Sequence, residues 1–115
     1  MRTLFVALLF VVTATAAPAE TIPAAEAKNH IDKDVTVEGV VSEVHHAASG
    51  RVIFVEIGGR YPSNPLSAVI FKDHFNKFPT VDSLAGKTIN VTGRVKEYRG
   101  RTEIILDDPD QLKVK

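Results

Sequence analysis

Two stretches of this chain, Asp34 to Val44 (DVTVEGVVSEV) and Lys87 to Tyr98 (KTINVTGRVKEY), carry the same pattern of apolar residues and glycine. Val35, Val37, Gly39 and Val41 in the first correspond at a constant offset to Ile89, Val91, Gly93 and Val95 in the second. Apolar and polar residues alternate in both, as in a strand with one face buried and the other in water. An isolated glycine inside such alternation marks a bulge or a sharp bend, and this lets one long strand turn a corner. The spacing of three from Val41 to Val44 fits a slip in phase after that bend. The fold therefore has to accommodate two long strands bent alike.

Shorter strands fill the space between and after them. Val52 to Ile57 alternates Ile53, Val55 and Ile57 with Val52, Phe54 and Glu56, and His45 to Gly50 (HHAASG) reads as the loop before it. Gly58 to Pro65 (GGRYPSNP) is dense in turn formers, after which Leu66 to Phe71 (LSAVIF) reads as a largely buried strand. Asp73 is placed to cap a short helix in which Phe75 and Phe78 share a face before Pro79 ends it. Tyr98-Arg99-Gly100-Arg101 is a tight turn into a last strand, Thr102 to Leu106, followed by Asp107-Asp108-Pro109 and a short tail. Pro23 and the run Ala24 to Lys28 predict a short helix ending near His30.

The chain has 115 residues, of which 44% are hydrophobic and 24% charged, a composition that supports one small globular domain and no second. It has no cysteine, which excludes disulfides, thiolate zinc sites, a catalytic thiol and a lipid-modified N-terminal cysteine. Arg2, the apolar run Leu4 to Val12 (LFVALLFVV) and the small residues up to Ala17-Pro18-Ala19 form an export-signal pattern. Thr13, Thr15 and Pro18 interrupt the run before the ~20 apolar residues that a membrane span needs. The expectation is a signal peptide over residues 1–19, cut after Ala19, and a single domain over 20–115 in the periplasm or secreted.

Five short antiparallel strands with a helix between the third and fourth, and glycine bends in the first and fourth, are the layout of a five-stranded Greek-key OB-fold barrel, here with a short N-terminal helix. The region from Ile22 through Gln111 also resembles a family of bacterial exported proteins described as OB-fold nucleic-acid-binding domain proteins, related to the anticodon-binding type of OB domain. The pieces that carry the resemblance are IPAAEAKNHIDKDVTVEGVV, GGRYPSNPLSAVIF at Gly58 to Phe71, LAGKTINVTGRV at Leu84 to Val95, and YRGRTEIILDDPDQL at Tyr98 to Leu112. The resemblance implies the fold firmly and says little about the ligand, because such proteins are named from the fold.

In an OB domain, ligands cross the face of the second and third strands and are gripped by the loops joining strands one to two and four to five. At those places stand Arg51 in the first loop, Phe54 and Phe71 on the strands, Arg60 and Tyr61 in the turn, and Tyr98, Arg99 and Arg101 in the second loop. Arg94 and Lys96 share the outward phase. Aromatic rings that stack bases interleave with cations that attract phosphate. A second reading gives these residues no ligand: Phe54 and Phe71 cover core under the N-terminal helix, and Arg94 and Lys96 keep an edge soluble.

Charge supplies a mild hint. Lys and Arg total 14, matched by 14 Asp and Glu, but residues 51–101 hold nine bases and four acids. The expected function is weak binding of single-stranded nucleic acid or another polyanion, and the alternative is a protein- or peptide-interaction module of the cell envelope. Catalysis is not expected. No nucleophile elbow or phosphate-binding glycine loop is present. The adjacent His45 and His46 would point to opposite sides of a strand, so neither a metal nor another cofactor is expected. Glu38, Glu43, Glu56, Glu97 and Glu103 lie scattered along the chain with no local motif to gather them.

Overall fold

The computed structural model describes residues 20–115, so the expected export signal lies outside the described residues. Seven strands follow in order: β1 (Thr21–Pro23), β2 (Asp34–His46), β3 (Val52–Ile57), β4 (Leu66–Phe71), β5 (Thr88–Tyr98), β6 (Arg101–Ile105) and β7 (Leu112–Val114). Strand β2 pairs with β3, β3 with β4, β4 with β6, β6 with β5, and β5 returns to β2, which closes a barrel. The β4–β6 pairing is parallel and the other barrel pairings are antiparallel. The five expected strands are all present and form an OB-fold barrel, and the two three-residue strands β1 and β7 flank it. Strand β1 lies parallel to β2 through Thr21, Ile22 and Pro23, and β7 lies antiparallel to the first half of β5.

The glycines sit where the long strands change partner. Residues 34–40 of β2 pair with β5, whereas Val41 onward pairs with β3, and Gly39 lies at the junction. In β5, residues 88–94 pair with β2 and Val95 onward pairs with β6, with Gly93 at the junction. A Cβ on Gly39 would lie 2.5 Å from Ile57 Cγ2, and one on Gly93 would lie 2.8 Å from Ile104 Cγ2. The missing side chain thus admits a fully buried isoleucine from the neighbouring strand into each corner, where burial of that residue contributes about 2 kcal/mol. The expected phase slip is a register shift between Val41 and Glu43 that leaves Ser42 as the extra residue.

Alternation delivers Val35, Val37, Val41, Ile53, Val55, Ile57, Ile89, Val91 and Val95 to one continuous core. Ala24 and Ala27 of the 3-10 turn Ala24–His30 are buried in the same cluster, and Phe78, Val81 and Leu84 contribute from the connection between β4 and β5.

Two local expectations need correction. The first long strand runs through His45 and His46, because both keep ladder pairs with Phe54 and Ile53. Asp73 does not cap the segment Lys72–Lys77: this is a 3-10 turn that begins after Phe71 with no side-chain cap. The acidic turn at Asp107 and Asp108 has a structural role. The Asp108 carboxylate accepts from the Asp110 N–H at 2.8 Å, and Gln111 Oε1 accepts from the N–H groups of Asp107 and Asp108 in a reciprocal cap.

Candidate nucleic-acid interface

Strands β3, β4 and β6 turn their core-averted positions to one open face, and the β5–β6 hairpin rises along its side. The hairpin turn is short because Arg99 (φ 50°) and Gly100 (φ 77°) both adopt left-handed conformations, the pattern of a two-residue turn matched to strand twist. A groove of about 550 Å³ results, lined by Val52, Phe54, Val69, Phe71 and Ile105 on the sheet and by Lys96, Glu97, Tyr98, Arg101 and Glu103 on the hairpin. Phe71 and Ile105 are 44% and 43% exposed and Tyr98 57%, so a predominantly apolar surface faces solvent here.

A smaller hollow of about 240 Å³ adjoins it, lined by Glu43, His45, Phe54, Tyr61 and Arg101. The partition between the two is a layered stack. The His45 ring stacks on Phe54 with centroids 6.2 Å apart, and the Arg101 guanidinium lies 4.8 Å from the Phe54 centroid and 4.7 Å from that of Tyr61. A guanidinium held between two ring faces gains cation–π attraction on both sides. At the groove's outer end Arg99 lies over Tyr98 at 5.3 Å.

Beneath the stack, charge is buried. Glu43 on β2, Glu56 on β3, Ser67 on β4, Glu103 on β6 and Lys96 on β5 form one cross-strand row. Three of the five acids scattered in sequence, Glu43, Glu56 and Glu103, thus share one row, with Ser67 between Glu56 and Glu103. Glu56 is 1% exposed and is held on every side: Ser67 Oγ donates to Oε2 at 2.7 Å, Asn64 Nδ2 donates to the same oxygen, and Arg101 Nη2 stands 3.6 Å from Oε1. Arg101 Nη2 also donates to Ser67 Oγ at 3.1 Å. Asn64 reaches this position because the β3–β4 loop folds back over the sheet. The Ser42 hydroxyl fastens that loop to the bulge by contacting the carbonyl oxygens of Glu56, at 3.1 Å, and Gly59. Glu103 is 8% exposed, and burial raises its pKa from the ordinary glutamate value. Arg101 opposes that rise and Glu56 adds to it.

Of the ten residues singled out in the sequence, Phe54, Phe71, Lys96, Tyr98 and Arg101 line one groove, Tyr61 closes the stack beside it, and Arg99 borders it. Arg51 and Arg60 are exposed on the β2–β3 and β3–β4 loops outside the lining. Arg94 lies on the β2–β5 half, 3.8 Å from Asp34. Lys96 reaches Asp32 at 3.1 Å. The residues sequence reasoning missed are His45, Glu56, Asn64, Ser67, Val69, Glu103 and Ile105. Alternation placed Glu56 on the outward phase with Phe54, and no sequence signal indicates that Asn64 and Arg101 would close over it. The histidines are employed separately, since His46 Nε2 lies 2.6 Å from Asp82 Oδ1 while His45 stacks on Phe54.

Residues 35–109 match the tRNA anti-codon family model, described as OB-fold nucleic acid binding domain. No curated protein matches the chain. Among solved structures it is similar to the OBody AM1L10 bound to hen egg-white lysozyme, with 22% identity, a TM-score of 0.61, and coverage of 88% of this chain and 98% of that one. It is also similar to asparaginyl-tRNA synthetase from Pyrococcus horikoshii, with 24% identity and a TM-score of 0.60 over 84% of this chain and 23% of the synthetase chain. The S. pombe Stn1-ten1 complex is more distant, with 14% identity, a TM-score of 0.55, and coverage of 71% of this chain and 57% of that one. The chain therefore spans less than a quarter of that synthetase and nearly all of the OBody.

Proposed function

Because this chain belongs to the OB-fold nucleic-acid-binding family of tRNA anti-codon type, we propose that its groove binds single-stranded nucleic acid weakly, as an exported module in the periplasm or outside the cell. The observation that carries this reading is the pairing of exposed Phe71 and Tyr98 rings across one groove bordered by Arg99, Arg101 and Lys96. Stacking on such rings stabilises binding by about 1–3 kcal/mol per base and does not depend on sequence. Phosphate contacts contribute less, since Arg101 is engaged with Glu56 and Lys96 with Asp32. This reading gives the module a binding role and no reaction, in keeping with the engagement of its most buried carboxylate, Glu56, by Asn64, Ser67 and Arg101.

The test is fluorescence anisotropy with a labelled oligothymidylate from about 20 to about 200 mM salt. Single strands lose about 0.7 in log K per log salt for each phosphate contact, so the expected slope lies between about −1 and −2. Affinity should fall in Phe71→Ala and Tyr98→Ala. Undetectable binding at the lowest salt, or binding that neither substitution weakens, contradicts the proposal.

A second reading is favoured by the apolar lining of Val52, Val69, Phe71 and Ile105 and by the OBody, an OB-fold protein bound to lysozyme. In it the groove takes a protein or peptide of the cell envelope. Cross-linking in the native compartment separates the two, because recovery of a specific protein and no nucleic acid favours the second.

A further inference from the structure

Two neighbouring carboxylates, Glu56 beneath the stack and Glu103 in the groove lining, differ in their partners. Glu56 takes the hydrogen bonds of Ser67 and Asn64 and the nearer charge of Arg101. Among the described residues no hydrogen bond or ion pair reaches the side chain of Glu103, although it is 8% exposed and lines the groove directly. Its surroundings are known from every element packed against it. Ser67 flanks it on β4 with Glu56 beyond, Lys96 flanks it on β5 with Glu97 adjacent, and Arg101 and Ile105 are two residues away on its own strand. The nearest cations are committed elsewhere, Arg101 to Glu56 and Ser67 and Lys96 to Asp32. An ionised Glu103, offset only by the Arg101 charge that it shares with Glu56, therefore adds negative charge where a phosphate backbone would pass.

We propose that Glu103 governs the affinity of this groove for polyanions, repelling them when ionised and admitting them when protonated, so that binding takes up a proton at this one side chain. The inference rests on the reading of the groove as a nucleic-acid site. Low exposure and the neighbouring Glu56 both favour the neutral carboxyl, which brings its titration above the ordinary glutamate range. A bound phosphate would push it further in the same direction by linkage.

The experiment measures the affinity of an oligothymidylate, whose bases do not titrate in the range used, from about pH 8 to about pH 5 at fixed ionic strength. The wild-type protein should bind on the order of tenfold more tightly at the acid end, the scale of one unit charge in a half-open groove. Glu103→Gln, the isostere of the protonated form, should bind at pH 8 as the wild type does at pH 5 and show little pH dependence. An imidazole also charges in this range, and His45 stacks on Phe54 in the adjoining hollow, so His45→Gln is the second variant and, whatever its affinity, should retain the pH dependence that Glu103→Gln loses. In parallel, carboxyl-carbon NMR of Glu103 should show a titration above the ordinary range that moves higher when oligonucleotide is added. A Glu103→Gln profile identical to wild type, or a Glu103 titration unmoved by oligonucleotide, overturns the proton link and leaves the binding site standing. No binding by any of the three proteins at any pH overturns both.

Discussion

On the β1–β2–β5–β7 side of the barrel, the outward positions Thr36, Glu38, Thr92 and Arg94 are polar and at least partly exposed, although Val40 is 51% exposed there and Asn90 Oδ1 is buried without a partner. Thr36 and Thr92 share a hydroxyl–hydroxyl hydrogen bond of 2.8 Å across the β2–β5 pair, Lys115 reaches Glu38 at 2.6 Å, and Arg94 stands 3.8 Å from Asp34. On the β3–β4–β6 side the same alternation yields a different surface. The exposed Phe71 and Ile105 continue an apolar groove lining that includes Phe54 and the buried Val69, with Glu56 1% and Glu103 8% exposed. The backbone rule is identical, so the difference comes from what lies over each sheet. The first leaves most of its outward residues partly exposed, whereas the second has the β3–β4 loop and the β5–β6 hairpin rising at its margins. An outward phase in a strand therefore specifies a direction and leaves open whether water waits there.

Deleting a carboxylate on each side should separate them most clearly. Glu56→Ala leaves Arg101, Asn64 and Ser67 around an empty position, and removal of one partner from a buried pair costs about 3 kcal/mol or somewhat less here because Arg101 is partly exposed. Glu38→Ala removes only a partly exposed contact to Lys115 and should cost less than about 1 kcal/mol. Urea denaturation of both variants checks this, and equal losses would remove the distinction between the two faces.

Binding gives the next largest contrast. Phe71→Ala or Tyr98→Ala should lower oligonucleotide affinity by about 1–3 kcal/mol each with a smaller change in stability, as the two residues are 44% and 57% exposed. Thr92→Val on the opposite face should leave affinity unchanged. Isothermal calorimetry with denaturation controls tests the pair. For Arg99→Ala the expected effect is smaller: the salt slope should become shallower by about 0.7, with modest loss of affinity at low salt.

The smallest effect concerns Glu103 and stability. Burial holds its pKa above the unfolded value, so between the two the folded protein keeps a proton that the unfolded chain has released. The ionised side chain therefore destabilises the fold at pH 7, and this penalty disappears as pH falls to the ordinary glutamate value. Glu103→Gln should raise the Tm at pH 7 and lose that advantage in acid, as thermal scans at the two pH values would show.

The legible parts of this protein are those governed by local chain physics. The bend at Gly39 and Gly93 was readable because a glycine inside alternation is costly unless something approaches closely, and Ile57 and Ile104 do. Arg99-Gly100 was readable as a turn for a different reason, the left-handed conformation that a glycine admits. The outward positions of Phe54 and Phe71 were readable from their strand phase, although exposure was not. The Glu56–Ser67–Arg101 arrangement could not be read, because it depends on a parallel β4–β6 register and on Asn64 folding back from a loop. Both are products of barrel closure. The strands β1 and β7 were missed because three residues carry too little periodicity to register.

The central claim is that the β3–β4–β6 face, and not the β1–β2–β5–β7 face, is the nucleic-acid surface. Two-dimensional NMR of isotope-labelled protein titrated with a short oligothymidylate tests it most directly. The account predicts concentration-dependent shifts concentrated at Phe54, Phe71, Tyr98, Arg101 and Glu103, with Thr36, Glu38 and Thr92 unmoved. Shifts centred on Thr36, Glu38 and Thr92, or spread evenly over both faces, would contradict it.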